Sequence, residues 1–136
     1  MLTRTQMYAA KVFRQVEPLA QADKGYRDKY KSMAEKLPVL IRTAGLAQAL
    51  AFVEAKNEPA WHDLLDHLAI TLGYADGSAL SAESRSPGST LGAYTRLTSQ
   101  TLDALLWYKR FAQSLLDIQP QPPRPVASQE SEGVAQ

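Results

Sequence analysis

Apolar residues recur every three or four positions along most of this chain, the spacing typical of amphipathic α-helices. The clearest stripes fall within residues 4–22, 24–36, 59–72 and 90–117. Alternation of period two and hairpin dipeptides between apolar runs, which would indicate strands, are almost absent. The pattern therefore predicts an all-α bundle of about five to six helices.

Prolines and glycines suggest where these helices begin and end. We expect the first helix to run from Thr3 or Thr5 to about Ala22, with Pro18 kinking or ending it. Pro38 follows the second stripe and is expected to open a third helix, since proline is favoured in the first turn. A short helix over residues 78–84 and a loop at residues 86–89 complete the prediction.

Residues 38–56 are apolar on nearly every side of a helix, with leucines, valines and alanines spread around the circumference. A helix of that kind is normally buried all round. We therefore predict that residues 38–56 form a central helix around which the others pack. Gly45 within it costs about 1 kcal/mol of helix propensity relative to alanine, which close helix–helix approach would offset.

The last helix carries two apolar stripes, and the second consists of Trp107, Phe111 and Ile118. Either the bundle wraps around both stripes, or a partner protein covers the second. We favour burial within the chain, and these three residues are our candidates for a protein interface if a partner is involved.

The domain is expected to span residues 1–118, and a tail of Pro, Ser and Gln occupies residues 119–136. This composition predicts a flexible segment with polyproline character at Pro120–Pro125. A solvated tail is the favoured interpretation, although the PPRP segment is compatible with a docking motif.

The chain has no cysteine, which excludes disulfides, thiolate metal sites and cysteine nucleophiles. The N-terminus has no apolar segment typical of a secretory signal, and no run of about 18 apolar residues exists to span a membrane. Together these features predict a cytoplasmic protein.

The charge is unevenly distributed, although the net charge is only +1. Residues 1–42 carry nine Lys or Arg and four acids, whereas residues 43–83 carry one Lys and six acids. Such polarity can direct a polyanion to one face or let copies stack basic face to acidic face. Ordinary solvated helix faces are the alternative.

The only cluster that resembles a catalytic or metal site is Trp61-His62-Asp63 with Asp66-His67. His62 and Asp66 are four residues apart, as are Asp63 and His67, so each pair is expected to interact along the helix surface. The two histidines lie about 140° apart around a helix and cannot share one metal ion. The sequence therefore predicts no metal, no cofactor and no catalytic residues, with a metal-dependent hydrolase as a weak alternative.

Two segments carry a family resemblance. Residues 30–56, YKSMAEKLPVLIRTAGLAQALAFVEAK, combine Tyr-x-Ser, Lys-Leu-Pro, Ile-Arg-x-x-Gly-Leu and Gln-Ala-Leu-Ala-Phe. The second segment is residues 106–112, LWYKRFA, in the last predicted helix. These features resemble the small helical subunit of the Cmr complex, the type III-B CRISPR RNA-guided effector, over roughly residues 4–118.

The resemblance implies a bundle without enzymatic activity that stacks in copies as a minor filament beside the other Cmr subunits. Its basic face would hold the guide–target RNA duplex, with no membrane or small-molecule substrate involved. From charge and spacing, the candidate RNA-binding residues are Lys24, Arg27, Lys31, Lys36 and Arg42, followed by Lys109 and Arg110. The small subunit of the related type III-A effector and a purely protein-binding helical adaptor remain alternatives.

Overall fold

A computed structural model describes residues 2–86, 88 and 90–116. The described chain forms α1 (Arg4–Val16), α2 (Lys24–Ala44), α3 (Leu46–Ala55), α4 (Pro59–Thr71), α5 (Gly77–Ser84) and α6 (Leu91–Phe111). A 3₁₀ turn, Glu17–Gln21, follows α1, and a π turn, Ala112–Leu116, follows α6. No strand occurs in these residues, so the all-α prediction is confirmed.

Polar side chains at the helix starts explain where several helices begin. Thr3 accepts a hydrogen bond from the backbone N–H of Gln6, whose side chain accepts from the Thr3 N–H in return. The side chains of Asp23, Asp76 and Thr90 cap α2, α5 and α6 in the same way. These side chains satisfy N–H groups that have no partner within the helix.

The two long helices, α2 and α6, pack against each other at the centre of the bundle. The first helix packs mainly on α6, while α3 and α4 pack on α2, and α5 covers α3 and α4. Apolar side chains from all six helices meet in one core, including Val12, Val16, Leu37, Leu46, Leu50, Leu64, Leu68, Leu80 and Leu105. Within the described residues, no helix is long and apolar enough to cross a bilayer.

The predicted helix boundary at Pro38 is wrong. The second helix continues through Pro38, which is buried, and ends only at Ala44. Proline in a helix interior removes one backbone hydrogen bond, and burial of its ring against the core offsets part of that cost. The true break is Gly45, whose φ of 91° and ψ of 158° lie in a region that is essentially restricted to glycine.

The prediction of a helix buried all round is also wrong. Once Gly45 divides the segment, α3 contains only ten residues, and just one side of it packs in the core. Its other side includes Ala51 and Phe52, which are exposed. The central position belongs instead to α2, which packs against α3, α4 and α6.

The expected effect of Pro18 is confirmed, because the α-helix ends at Val16 and the chain continues as a 3₁₀ turn that contains the proline. The predicted short helix and the end of the fourth helix near Gly73 also agree with the structure. Residues 117–136, which include the predicted tail, lie outside the described residues.

We expect Gly45→Ala to destabilise the domain by roughly 1 to 3 kcal/mol, because a side chain strains this backbone conformation. The new Cβ would also lie 3.4 Å from the Tyr94 hydroxyl. Gly25→Ala is the matched control: it lies in a helix with nothing within 4 Å of its Cβ and should be neutral or slightly stabilising. Urea unfolding of both variants checks this, and equal stabilities would contradict it.

Candidate nucleic-acid interface

Three of the predicted RNA-binding residues, Lys24, Lys31 and Arg42, lie in one row along α2. They are separated by seven and eleven residues, which are close to two and three helical turns. The row extends for about 27 Å, at 1.5 Å per residue. The long helix therefore aligns cations from both sides of Pro38, where the sequence predicted two separate helices.

Two acids, Asp28 and Glu35, lie in the same row and pair with two of its lysines. The Lys24 ammonium lies 2.7 Å from Asp28, and that of Lys31 lies 3.5 Å from Glu35. The hydrogen bond from Lys24 is the largest cause of the lowered pKa of Asp28, assisted by the charges of Lys24, Arg27 and Lys31. Ion pairs at the protein surface are weak and screened by salt, so a phosphate can compete for the lysines.

The final helix brings another cation to this row. Gln113, just beyond α6, donates a hydrogen bond of 3.1 Å to Glu35. That bond is the largest cause of the lowered pKa of Glu35, and the charges of Lys31 and Lys109 lower it further. The charges of Lys31 on α2 and Lys109 on α6 thus both act on the Glu35 carboxylate. We call Lys24, Lys31, Arg42 and Lys109 the α2 basic face.

Of the other predicted RNA-binding residues, Arg27 lies at the edge of this face, whereas Lys36 and Arg110 lie apart from it. Lys36 lies about 120° around α2 from Lys24 and lines an apolar groove beside Val39. Arg110 lies over the ring of Trp107, with its guanidinium carbon 5.3 Å from the ring centroid. Arg27 is half-buried at the edge of the packed side of α2.

The second stripe of the last helix is partly covered by α1. The rings of Phe13 and Phe111 meet edge to face at 5.4 Å, and Trp107 stacks on Phe111 at 5.6 Å between centroids. Both Trp107 and Phe111 are partly buried against the core. Burial within the chain, which the sequence favoured, is therefore found for these two residues, and Ile118 lies outside the described residues.

Side chains of the histidine–aspartate cluster on α4 form hydrogen bonds with other helices. Tyr26 of α2 donates to Asp63 at 2.5 Å, and the hydroxyl of Tyr30 lies 2.8 Å from Nδ1 of His67. Asp66 accepts from the backbone N–H of Gly77 at 2.7 Å. The hydrogen bonds of Asp63, Asp66 and His67 thus go to other elements, although the charge of Asp63 still acts on His67 four residues away. No group of three metal-ligating side chains occurs within the described residues.

A buried polar network, which the sequence analysis missed, links α1, α4 and α6. The Tyr108 hydroxyl donates to the side-chain oxygen of Gln15 and lies 2.8 Å from the Thr71 hydroxyl. Gln15 also donates to the carbonyl of His67 at 3.1 Å. The only available signal was the position of Gln15 and Thr71 on otherwise apolar helix faces.

Most acids of the middle segment are bound within the chain. Glu54 accepts from Ser78 and Ser81 of α5, and Glu58 accepts from Lys29 at 2.8 Å. Asp76 caps α5, and Asp63 and Asp66 are bound as described above. The acidic segment therefore contributes largely to internal contacts, and the simple picture of a free acidic surface does not hold.

A family model described as CRISPR-associated protein (Cas_Cmr5) matches residues 4–115. The chain belongs to the Cmr5 family. A relative from Thermus thermophilus, the CRISPR system Cmr subunit Cmr5, is 44% identical over 117 residues, which are 86% of this chain and 99% of the relative. The family resemblance seen in the two sequence segments is thereby confirmed.

The fold agrees with that of a solved member of the Cmr5 family. The X-ray structure of a CRISPR-associated Cmr5 family protein, also from Thermus thermophilus, matches with a TM-score of 0.79 and 44% identity. The match covers 85% of this chain and 99% of that one. The helical bundle described here is thus the fold of this family.

We expect the stability of the domain to fall as the pH drops below about 6.5, because of His67. Burial is the main cause of its lowered pKa, although Asp63 and Asp66 oppose the shift. Since the folded pKa lies below the unfolded value, the unfolded state binds more protons in this range, and acid favours unfolding. One such group contributes at most about 1.4 kcal/mol per pH unit.

Urea unfolding at several pH values between 7.5 and 5.5 measures this effect. His67→Gln removes the titrating ring, so its stability should change less over the same range than that of the unaltered chain. Equal pH dependence in the two proteins would show that His67 is not responsible.

Proposed function

We propose that this chain is the non-catalytic small subunit of a type III-B CRISPR RNA-guided, RNA-targeting effector, the Cmr complex, and acts in antiviral defence. Membership of the Cmr5 family supports this, since the relative from Thermus thermophilus is named as a Cmr subunit. The partners are other Cmr subunits, further copies of this chain, and the guide and target RNA. No cofactor or small-molecule substrate is required.

The observation that supports RNA contact is the α2 basic face. Its four cations come from two helices and lie along about 27 Å of surface, enough to meet several successive phosphates. Contacts of this kind depend on charge and position and need no base recognition. They suit a subunit that has to hold duplexes of many sequences.

Stacking in copies requires surface that the isolated subunit leaves uncovered. Leu91, at the start of α6, is 81% exposed and borders a shallow apolar depression with Tyr94 and Leu102. Contiguous exposed apolar surface of this kind commonly marks a protein contact. We assign this end of α6 to the contact between subunits in the filament.

The alternative functions have less support. Trp107 and Phe111 are the basis of the protein-binding adaptor hypothesis, but Phe111 already packs against Phe13 and Trp107 of the same chain. The match to the Cmr5 family favours the Cmr complex over the type III-A alternative. For a hydrolase, Asp63 and His67 are engaged by the hydroxyls of Tyr26 and Tyr30.

Affinity purification of the tagged chain from its native host, with sequencing of the bound RNA, tests the assignment. We expect the other Cmr subunits and CRISPR-derived guide RNA to be recovered together. Recovery of unrelated proteins without RNA would replace the proposal with the adaptor hypothesis. Subunits of a type III-A effector would change the complex while leaving the role intact.

We expect the triple variant Lys24→Ala/Arg27→Ala/Lys31→Ala to weaken binding of target RNA by the assembled complex. The slope of log affinity against log salt concentration should decrease by about one for each cation that contacts a phosphate in each copy of the subunit. The matched control, Lys11→Ala/Lys29→Ala/Lys56→Ala, removes the same charge from residues outside the candidate set.

Circular dichroism and recovery of the intact complex show that both variants fold and assemble. The proposed role of these three cations on and beside the α2 basic face is refuted if the two variants bind RNA with the same affinity and salt dependence as the unaltered complex.

A further inference from the structure

An apolar groove lies between α2, α3 and α4, beside the α2 basic face. Its volume is about 330 Å³, and its apolar walls include Val39, Leu40, Phe52 and Trp61. Val39 is 56% exposed and Phe52 is 42% exposed, so no described segment covers these side chains. Polar side chains, Glu35 and Lys36, form part of its rim.

The floor of the groove is aromatic and contains an unused hydrogen-bond donor. The rings of Phe52 and Trp61 are 6.3 Å apart and inclined by 31°. The indole N–H of Trp61 is shielded from solvent, with no acceptor among the described residues. Buried indole N–H groups normally have a partner, so the environment of Trp61 is incomplete within the described part of the chain.

The described chain ends next to the same groove. The π turn Ala112–Leu116 packs against α2, and its Gln113 donates a hydrogen bond of 3.1 Å to Glu35 on the rim. The described chain therefore ends three residues beyond its contact with Glu35. The sequence continues with Asp117, Ile118 and then QPQPPRPV over residues 119–126, which holds four prolines.

We propose that residues 118–126 of the same chain bind in this groove as a proline-rich extended segment. Aromatic-lined grooves recognise such segments, because proline rings pack on aromatic side chains and the extended conformation is largely preformed. Proline-rich segments also leave their carbonyl oxygens free to accept hydrogen bonds from groups that line a groove. The tail thus covers apolar surface that the six helices leave exposed.

The length of the tail and its covalent link to the bundle both favour the chain's own tail as the segment that occupies the groove. In a polyproline conformation residues 118–126 extend for about 28 Å, at 3.1 Å per residue, which is long enough to pass Glu35 and enter the groove. A short tether gives an effective concentration in the millimolar range, so even an intrinsic dissociation constant of about 0.1 mM leaves the groove mostly occupied. The family match ends at residue 115, so this contact is an addition to the shared fold.

Because the chain has no cysteine, Ser128→Cys provides a single attachment site for a nitroxide spin label beside the proposed segment. In ¹⁵N NMR spectra of the full chain, the label should broaden the signals of Val39, Phe52 and the Trp61 indole. Signals of Thr5 in α1, which packs on α6 away from the groove, should remain sharp. Uniformly sharp groove signals would overturn the proposal.

Two variants of the labelled chain test the chemistry of the contact. Replacing Pro120, Pro122, Pro123 and Pro125 with Ser should remove most of the broadening and increase the exchange rate of the Trp61 indole N–H several-fold. Val39→Ser in the groove should act similarly, whereas Leu106→Ser, at a comparably exposed leucine of α6, should have no effect. Broadening that survives both the proline and the Val39 changes contradicts groove binding.

A mixed sample separates the chain's own tail from that of a second copy. Spin-labelled protein without ¹⁵N is added to unlabelled ¹⁵N protein, so any broadening must come from another molecule. We expect none at the groove. Broadening there would assign the groove to the tail of a neighbouring copy and refute the proposed intramolecular contact.

Discussion

The two buried tyrosines at the centre of the bundle impose the constraint on which the rest of the packing depends. Tyr30 of α2 and Tyr108 of α6 are fully buried, and each must place its hydroxyl against a polar partner. Tyr30 meets His67, while Tyr108 meets Gln15 and Thr71. Burial raises the pKa of both phenols, so they remain neutral donors. The orientations of α1, α2, α4 and α6 are therefore coupled through these hydrogen bonds.

That constraint also determines which polar residues remain for function. His67 serves the core, and neighbouring Asp63 and Asp66 hold α2 and α5 in place. The lysines on the outer side of α2, in contrast, pair with Asp28 and Glu35 at the protein surface. Tightly held groups stabilise the bundle, whereas weakly held cations can exchange their partners for phosphates. The same helix thus has one side that packs in the bundle and another side that carries the proposed RNA contacts.

Much of the fold was predictable from local patterns. The periodicity predicted the all-α class, and Pro18 and Gly73 marked two helix ends correctly because their backbone preferences act locally. The sequence predicted a helix boundary at Pro38 and a continuous helix through Gly45, and the structure shows the reverse. Burial of the proline ring lets α2 continue, while the positive φ of Gly45 makes it the break. Whether burial of the ring offsets the cost of a proline inside a helix depends on residues distant in sequence. Local helix propensity therefore does not predict it.

The sequence by itself determined the helical class, the absence of cysteine chemistry and the family, since periodicity, composition and linear motifs are all local properties. Only the tertiary structure decided which charged side chains lie close to one another in space. Lys31 and Lys109 are 78 positions apart, yet the charges of both act on Glu35 because α2 and α6 pack side by side. Likewise, His67 and Asp63 form hydrogen bonds to α2 rather than along their own helix. The physical reason is that burial makes each polar group find a partner in space, and that partner is chosen by packing.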